Sequence, residues 1–169
     1  MKTLIIIAFT SCCCTFSLSQ ELELDSTTNK LMYRGVIKID SASVGDLFER
    51  GRQWIATAYR SANNVVQYEN KEEGKIIGKG VWATWEGLGY LMEHTIILEF
   101  KNGRVRYTFT DFIKRYVGST ALAGSRQALE SIKLMKKNER GSFAKEAART
   151  AENLVQSIFS TSSKKDDDW

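Results

Sequence analysis

Imidazole chemistry in this chain has to begin from a single histidine, His94. It lies in Tyr90 to Phe100, where Met92, His94, Ile96, Leu98 and Phe100 alternate with Glu93, Thr95, Ile97 and Glu99, the period of a strand with one buried face. Asn102-Gly103 follows, and both residues tolerate the positive φ that a two-residue hairpin loop demands. With that loop Phe100 faces Val105, Leu98 faces Tyr107 and Ile96 faces Phe109, while Glu99 meets Arg106 on the solvated side as an opposite-charge pair. The same register sets His94 opposite Asp111. A carboxylate orienting an imidazole is the beginning of a general base, so His94 with Asp111 is the candidate for a hydrolase. No motif places a nucleophile, second carboxylate or metal partner beside them. A structural cross-strand pair is the reading these residues favour, and no catalytic residue is assigned.

Cys12, Cys13 and Cys14 are the only cysteines. Their position excludes a disulfide framework or a cysteine zinc site in the rest of the chain, as the lone histidine excludes a histidine cluster. No metal and no cofactor is expected.

Binding chemistry has two candidates. From Ile113 to Arg149 the net charge is +6, whereas Gln20 to Phe112 carries −1 and Thr150 to Trp169 carries −2. Lys133/Lys137, Lys136/Arg140 and Lys145/Arg149 are like-charge pairs four residues apart, each unfavourable to an isolated helix by about 0.2–0.5 kcal/mol. A face carrying Lys133, Lys136, Lys137 and Arg140 would be relieved by an anionic envelope surface or an acidic protein; solvation with salt screening is the plainer account. The second candidate is the turn between Trp85 and Tyr90, where exposed aromatics could stack on sugar rings or anchor a partner chain.

The elements that must position these residues follow from pattern. Leu31 to Ile39 alternates as a strand. Ser43 with Asp46 marks a helix start, and Val44, Leu47, Phe48, Gly51, Trp54, Ile55 and Ala58 recur at three- and four-residue steps. Val65 to Glu69 and Lys75 to Trp85 form a hairpin about Asn70 to Gly74. Gly78 and Gly80 share a face there, as expected where a helix packs closely over a strand. After Phe112 the pattern predicts helices over Ser125 to Asn138 and Ser142 to Phe159, broken at Gly141. In the second, Phe143, Ala144, Ala147, Ala151, Leu154, Val155 and Ile158 make one apolar stripe. The expected fold is α+β, an antiparallel sheet of about five strands in β-α-β-β-β-β-α order with helices on one face.

The first residues read as an address. Lys2, an apolar stretch from about Leu4 to Phe16, and Ser17-Leu18-Ser19 fit a secretory signal peptide over 1–19. Phe9-Thr10-Ser11 before Cys12 also permits a lipoprotein signal, with a shorter apolar run. Cleavage after Ser19 would leave 150 thiol-free residues, enough for one core that buries about 68–70% of its unfolded-chain surface. Residues 20–30 read as a flexible leader, 31–112 as the domain core, 113–160 as a helical region packed on it, and 161–169 as a disordered tail. An exported protein, periplasmic or extracellular, with no transmembrane segment in its mature form is expected; the sequence names no oligomeric state.

The element order, the run Ser61-Ala62-Asn63-Asn64-Val65-Val66-Gln67-Tyr68, the stretch Gly74-Lys75-Ile76-Ile77-Gly78-Lys79-Gly80 and the strand Val105 to Phe112 together resemble the domain of unknown function 4468 family. The resemblance covers Tyr33 to Phe112 and implies a TBP-like fold and export from a Gram-negative cytoplasm. It brings no established activity. The glycine stretch is no phosphate loop, because the Lys-Ser/Thr ending and following helix are missing. DNA binding does not follow from the fold either: TATA-binding proteins use two repeats, whereas this chain has one unit and an export signal, so no nucleic acid partner is expected. The sequence therefore supports a non-catalytic binding or structural module of the envelope.

Overall fold

The computed structural model describes residues 22–59, 62–83, 89–117, 122–131 and 137–160. In chain order these form β1 (Glu23–Leu24), β2 (Leu31–Lys38), α1 (Val44–Ala58), α2 (Ala62–Val65), β3 (Val66–Asn70), β4 (Lys75–Ala83), β5 (Tyr90–Lys101), β6 (Arg104–Tyr116), β7 (Arg126–Ala128), a 3-10 turn (Leu129–Ser131) and α3 (Lys137–Ser160). Neighbouring strands run antiparallel in the order β1-β2-β6-β5-β4-β3, with β7 also paired to β6. Among the described residues the sheet therefore has seven strands where about five were expected. The two additions are the shortest: β1 falls in the stretch expected to be a structureless leader, where the Asp25 carboxylate accepts N–H bonds from Thr27 at 2.7 Å and Thr28 at 3.1 Å to form a turn.

Helix α1 starts as its cap requires. The Ser43 hydroxyl accepts the Asp46 N–H at 3.2 Å, and Leu47, Phe48, Gly51, Trp54 and Ile55 turn inward. Its partner α3 buries the expected stripe, with Phe143, Ala147, Ala151, Leu154 and Ile158 all out of contact with solvent. Two side chains fasten the pair. The Trp54 indole N–H donates to Asn153 Oδ1 at 2.9 Å, and buried Arg50 donates to the Ile158 carbonyl at 3.0 Å and to the Asp46 carboxylate at 2.7 Å. A guanidinium on the last turn of α3 satisfies a carbonyl that the helix cannot bond and opposes its negative end.

Both helices cover the same side of the sheet. On that side stand Tyr33 and Ile37 of β2, Val105, Tyr107 and Phe109 of β6, Phe100, Leu98 and Ile96 of β5, and Ile76 of β4, all buried. At Gly78 an added Cβ would come within 3.1 Å of Val65 at the end of α2, and at Gly80 within 2.5 Å of Tyr59, the residue capping α1. The close helical approach expected over these glycines is present.

The region after Phe112 differs from its expected helical character. β6 continues to Tyr116, and Arg126–Ala128 add to its edge through Ile113↔Ala128, Lys114↔Gln127 and Arg115↔Arg126. No helix spans Ser125 to Asn138 within the described residues: strand pairing with β6 and burial of Leu129 override a weak helical period. α3 runs without a break through Gly141, where a glycine costs a helix only about 1 kcal/mol.

Candidate functional site

The other side of the sheet is exposed over much of its area, and the strand register arranges it in rows. Lys38 of β2, Arg104 of β6 and Lys101 of β5 stand directly opposite one another. Beside them come Val36, Arg106, Glu99 and Lys75, then Arg34, Thr108, Ile97 and Ile77, then Met32, Thr110, Thr95 and Lys79. Cations thus edge a centre of threonine and isoleucine. Arg106 donates to Glu99 at 2.7 Å, the pair expected from the hairpin register, and this bond, ahead of the charges of Lys75 and Lys101, lowers the Glu99 pKa. At the opposite end Glu93 is held by both Arg115 and Arg126. Two depressions mark the ends of this face: one of about 320 Å³ between Val36, Lys101, Arg104 and Arg106, and one of about 410 Å³ that includes Lys79, Glu93, Thr95, Asp111 and Arg126.

Between these ends β6 carries a bulge. The register is continuous from Lys101↔Arg104 to Thr95↔Thr110, then resumes one residue out of step at Glu93↔Ile113, so His94 faces both Asp111 and Phe112. Asp111 has φ +52°, a conformation that aspartate tolerates better than most residues. One extra residue exchanges the faces of everything beyond it. Phe112 and Lys114 turn inward, Ile113 and Arg115 outward, and Asp111 accepts from Lys30 at 2.5 Å.

This overturns the expected His94–Asp111 pair. Buried His94 places Nε2 2.9 Å from the Tyr59 hydroxyl and stacks on Trp82 with ring centroids 3.7 Å apart. Burial, opposed weakly by the Met92 backbone, lowers its pKa from 6.5 to about 3. The carboxylate needed to orient a basic imidazole is engaged elsewhere, and the ring is neutral near neutral pH.

The binding residues read from sequence are scattered. Tyr90 is buried, with the Lys114 ammonium 4.3 Å from its ring centre, so it is not the exposed loop aromatic expected; Trp85 lies outside the described residues. Lys133 and Lys136 also lie outside them, Lys137 begins α3, and Arg140 is exposed one turn later. Arg149, expected to repel Lys145, is paired with Glu146 at 2.7 Å. Of the basic residues assigned to a helical region, Lys114, Arg115 and Arg126 belong to the sheet. Missed by sequence reasoning were Lys38, Lys101, Arg104 and Arg106 as a group. The Asn102-Gly103 register already set Lys101 against Arg104, but the pairing of β2 with β6 that adds Lys38 is non-local and has no sequence mark.

One antiparallel sheet backed by helices on a single side is an α+β fold. Residues 33–114 match the family described as "Domain of unknown function (DUF4468) with TBP-like fold", and that segment is a domain of this family. Among solved structures, a TBP-like protein from Parabacteroides distasonis ATCC 8503 superposes with a TM-score of 0.60 at 16% identity, covering 80% of this chain and 94% of that one. A DUF4468 family protein from Bacteroides ovatus ATCC 8483 gives 0.59 at 12% identity, covering 76% and 86%. At such identities the fold is what is shared. No curated protein matches the chain.

Proposed function

We propose that this protein is an exported, non-catalytic binding module of the bacterial envelope whose working surface is the helix-free face of the sheet and whose partner is an anionic envelope surface. The observation that carries the reading is the division of the sheet: apolar side chains under α1 and α3 on one side, and on the other the exposed cations Arg34, Lys38, Lys79, Lys101, Arg104 and Arg106 about a less polar centre. Such a surface attracts polyanions over roughly a Debye length, about 8 Å at physiological ionic strength, and holds them in a salt-dependent way. Export rests on the pattern of residues 1–19, and no helix among the described residues is long and apolar enough to cross a membrane.

Sedimentation with vesicles tests the reading. The protein should pellet with phosphatidylglycerol vesicles at low salt, stay in the supernatant with phosphatidylcholine, and be released by about 0.5 M salt, where screening is nearly complete. Equal recovery in the supernatant with both lipids rejects a lipid surface and turns attention to an acidic protein.

A further inference from the structure

Lys38, Arg104 and Lys101 form a row of three like charges on adjacent strands, which lie about 4.8 Å apart. Like charges directly opposite one another weaken a sheet. Elsewhere on this face an acid accompanies the cations, with Glu99 between Arg106 and Lys75, Glu23 against Arg34, and Glu93 holding both members of the facing pair Arg115 and Arg126. In the row itself no acid intervenes, and among the described residues none of the three side chains makes an ion pair.

The backbone beneath the row is fixed. Gly103 N–H donates to the Ala42 carbonyl and Ile39 N–H to the Gly103 carbonyl, each at 2.9 Å, and Asn102 Oδ1 accepts the Val44 N–H at 2.9 Å. The hairpin tip that carries Lys101 and Arg104 is thereby tied to the end of β2 and the start of α1. Such preorganisation lowers the ordering cost of binding. Next to the row lies the cleft of about 320 Å³, lined by Val36, Lys101, Arg104, Arg106 and the Glu99 carboxylate that holds Arg106 in place. That is room for roughly ten water volumes.

We infer that this row and cleft form a binding site for a phosphate group, an inference that rests on the anionic-partner reading above and narrows it to one chemistry. A carboxylate would neutralise one cation. A phosphate monoester carries about −1.5 to −2 charges and three acceptor oxygens, matching three unpaired cations, and the Arg104 guanidinium can fork two of those oxygens.

Titration of the purified protein with inorganic pyrophosphate, beside sedimentation with phosphatidic acid and phosphatidylglycerol vesicles, tests this. Lys101→Gln/Arg104→Gln should weaken pyrophosphate or phosphatidic acid binding by about tenfold or more, the scale of a lost charged hydrogen bond. Lys145→Gln, an exposed cation on α3 across the sheet from the cleft, should change it less than about twofold by the same scale. The row variant should unfold at the same or a higher temperature than the wild type, since it removes repulsion, so lost binding will not reflect lost folding. Binding of pyrophosphate marks a soluble phosphorylated ligand; binding of phosphatidic acid alone marks a lipid headgroup. The inference is overturned if the wild type binds neither, or if the row variant binds as tightly as the wild type. Retained binding to phosphatidylglycerol in that case leaves the broader reading standing, and loss of all vesicle binding removes both.

Discussion

The Tyr59 hydroxyl and the His94 imidazole Nε2 lie 2.9 Å apart above Gly80, joining the cap of α1 to the middle of β5. Trp82 stacks on the other side of the imidazole and Phe109 meets it edge-on, with centroids 3.7 and 5.7 Å away. The contact exists because β4 has no side chain at position 80.

Gly80→Ala removes that space. Its Cβ would stand 2.5 Å from both His94 Nε2 and the Tyr59 ring, so the packing of these two rings must shift. The substitution should cost about 1–3 kcal/mol, the range for overpacking a filled core. A urea midpoint unchanged from the wild type would show that the rings are looser than their packing indicates.

Acid stability should report the same imidazole. Unfolded, it titrates near 6.5; folded, burial lowers it to about 3. Between those values the unfolded chain binds the extra proton, so this contribution is whole above pH 6.5 and is lost as pH falls through the window, at about 1.4 kcal/mol per unit. Asp25, Glu49 and Glu99, whose pKa values are lowered by hydrogen bonds to Thr27, Lys71 and Arg106 respectively, lose stability at lower pH in the wild type and in His94→Gln alike. Between pH 7.5 and 5 the wild type should therefore lose about 2 kcal/mol more than His94→Gln in urea unfolding. NMR supplies a second check: the His94 ring protons should keep their neutral shifts down to pH 4. Equal losses with a ring titrating near 6 would refute a buried neutral imidazole.

Gly141 makes the opposite case. It lies within α3, exposed, and among the described residues nothing beyond its own stretch of helix comes within 4 Å of where its Cβ would stand. Gly141→Ala should raise stability by about 0.5–1 kcal/mol through lower unfolded-chain entropy and better helix propensity. Thermal unfolding that moves downward would mean the helix is not continuous there.

Local rules made much of this fold legible. Ser43 and Asp46 mark the start of α1, Asn102-Gly103 sets the β5–β6 register as far as Thr95↔Thr110, and the stripe from Phe143 to Ile158 identifies the buried side of α3. Non-local pairing defeated the rest. Nothing near Arg126 announces that it joins β6, and Lys114 reads as a helix-surface charge until the bulge turns it inward against Tyr90. The candidate site was half visible: Lys101 against Arg104 follows from the turn, whereas Lys38 arrives from a strand more than sixty residues earlier. The His94–Asp111 expectation failed for a single reason, one residue added to β6 at the position where the pair would have formed.

That residue can be tested directly. Asp111 has φ +52°, and its carboxylate is paired with Lys30, both side chains being more than a third exposed. An exposed pair of this kind contributes about 0–1 kcal/mol, so Asp111→Asn, which keeps a side chain tolerant of the left-handed region, should shift stability by less than that. Asp111→Val places a β-branched side chain in the same conformation and should cost about 1–2 kcal/mol more. Were the bulge absent, Asp111 would point inward beside His94, and valine there would be tolerated better than asparagine. Guanidinium unfolding of the two variants separates these geometries by the order of their midpoints: asparagine above valine for the bulged strand, the reverse for an unbroken register.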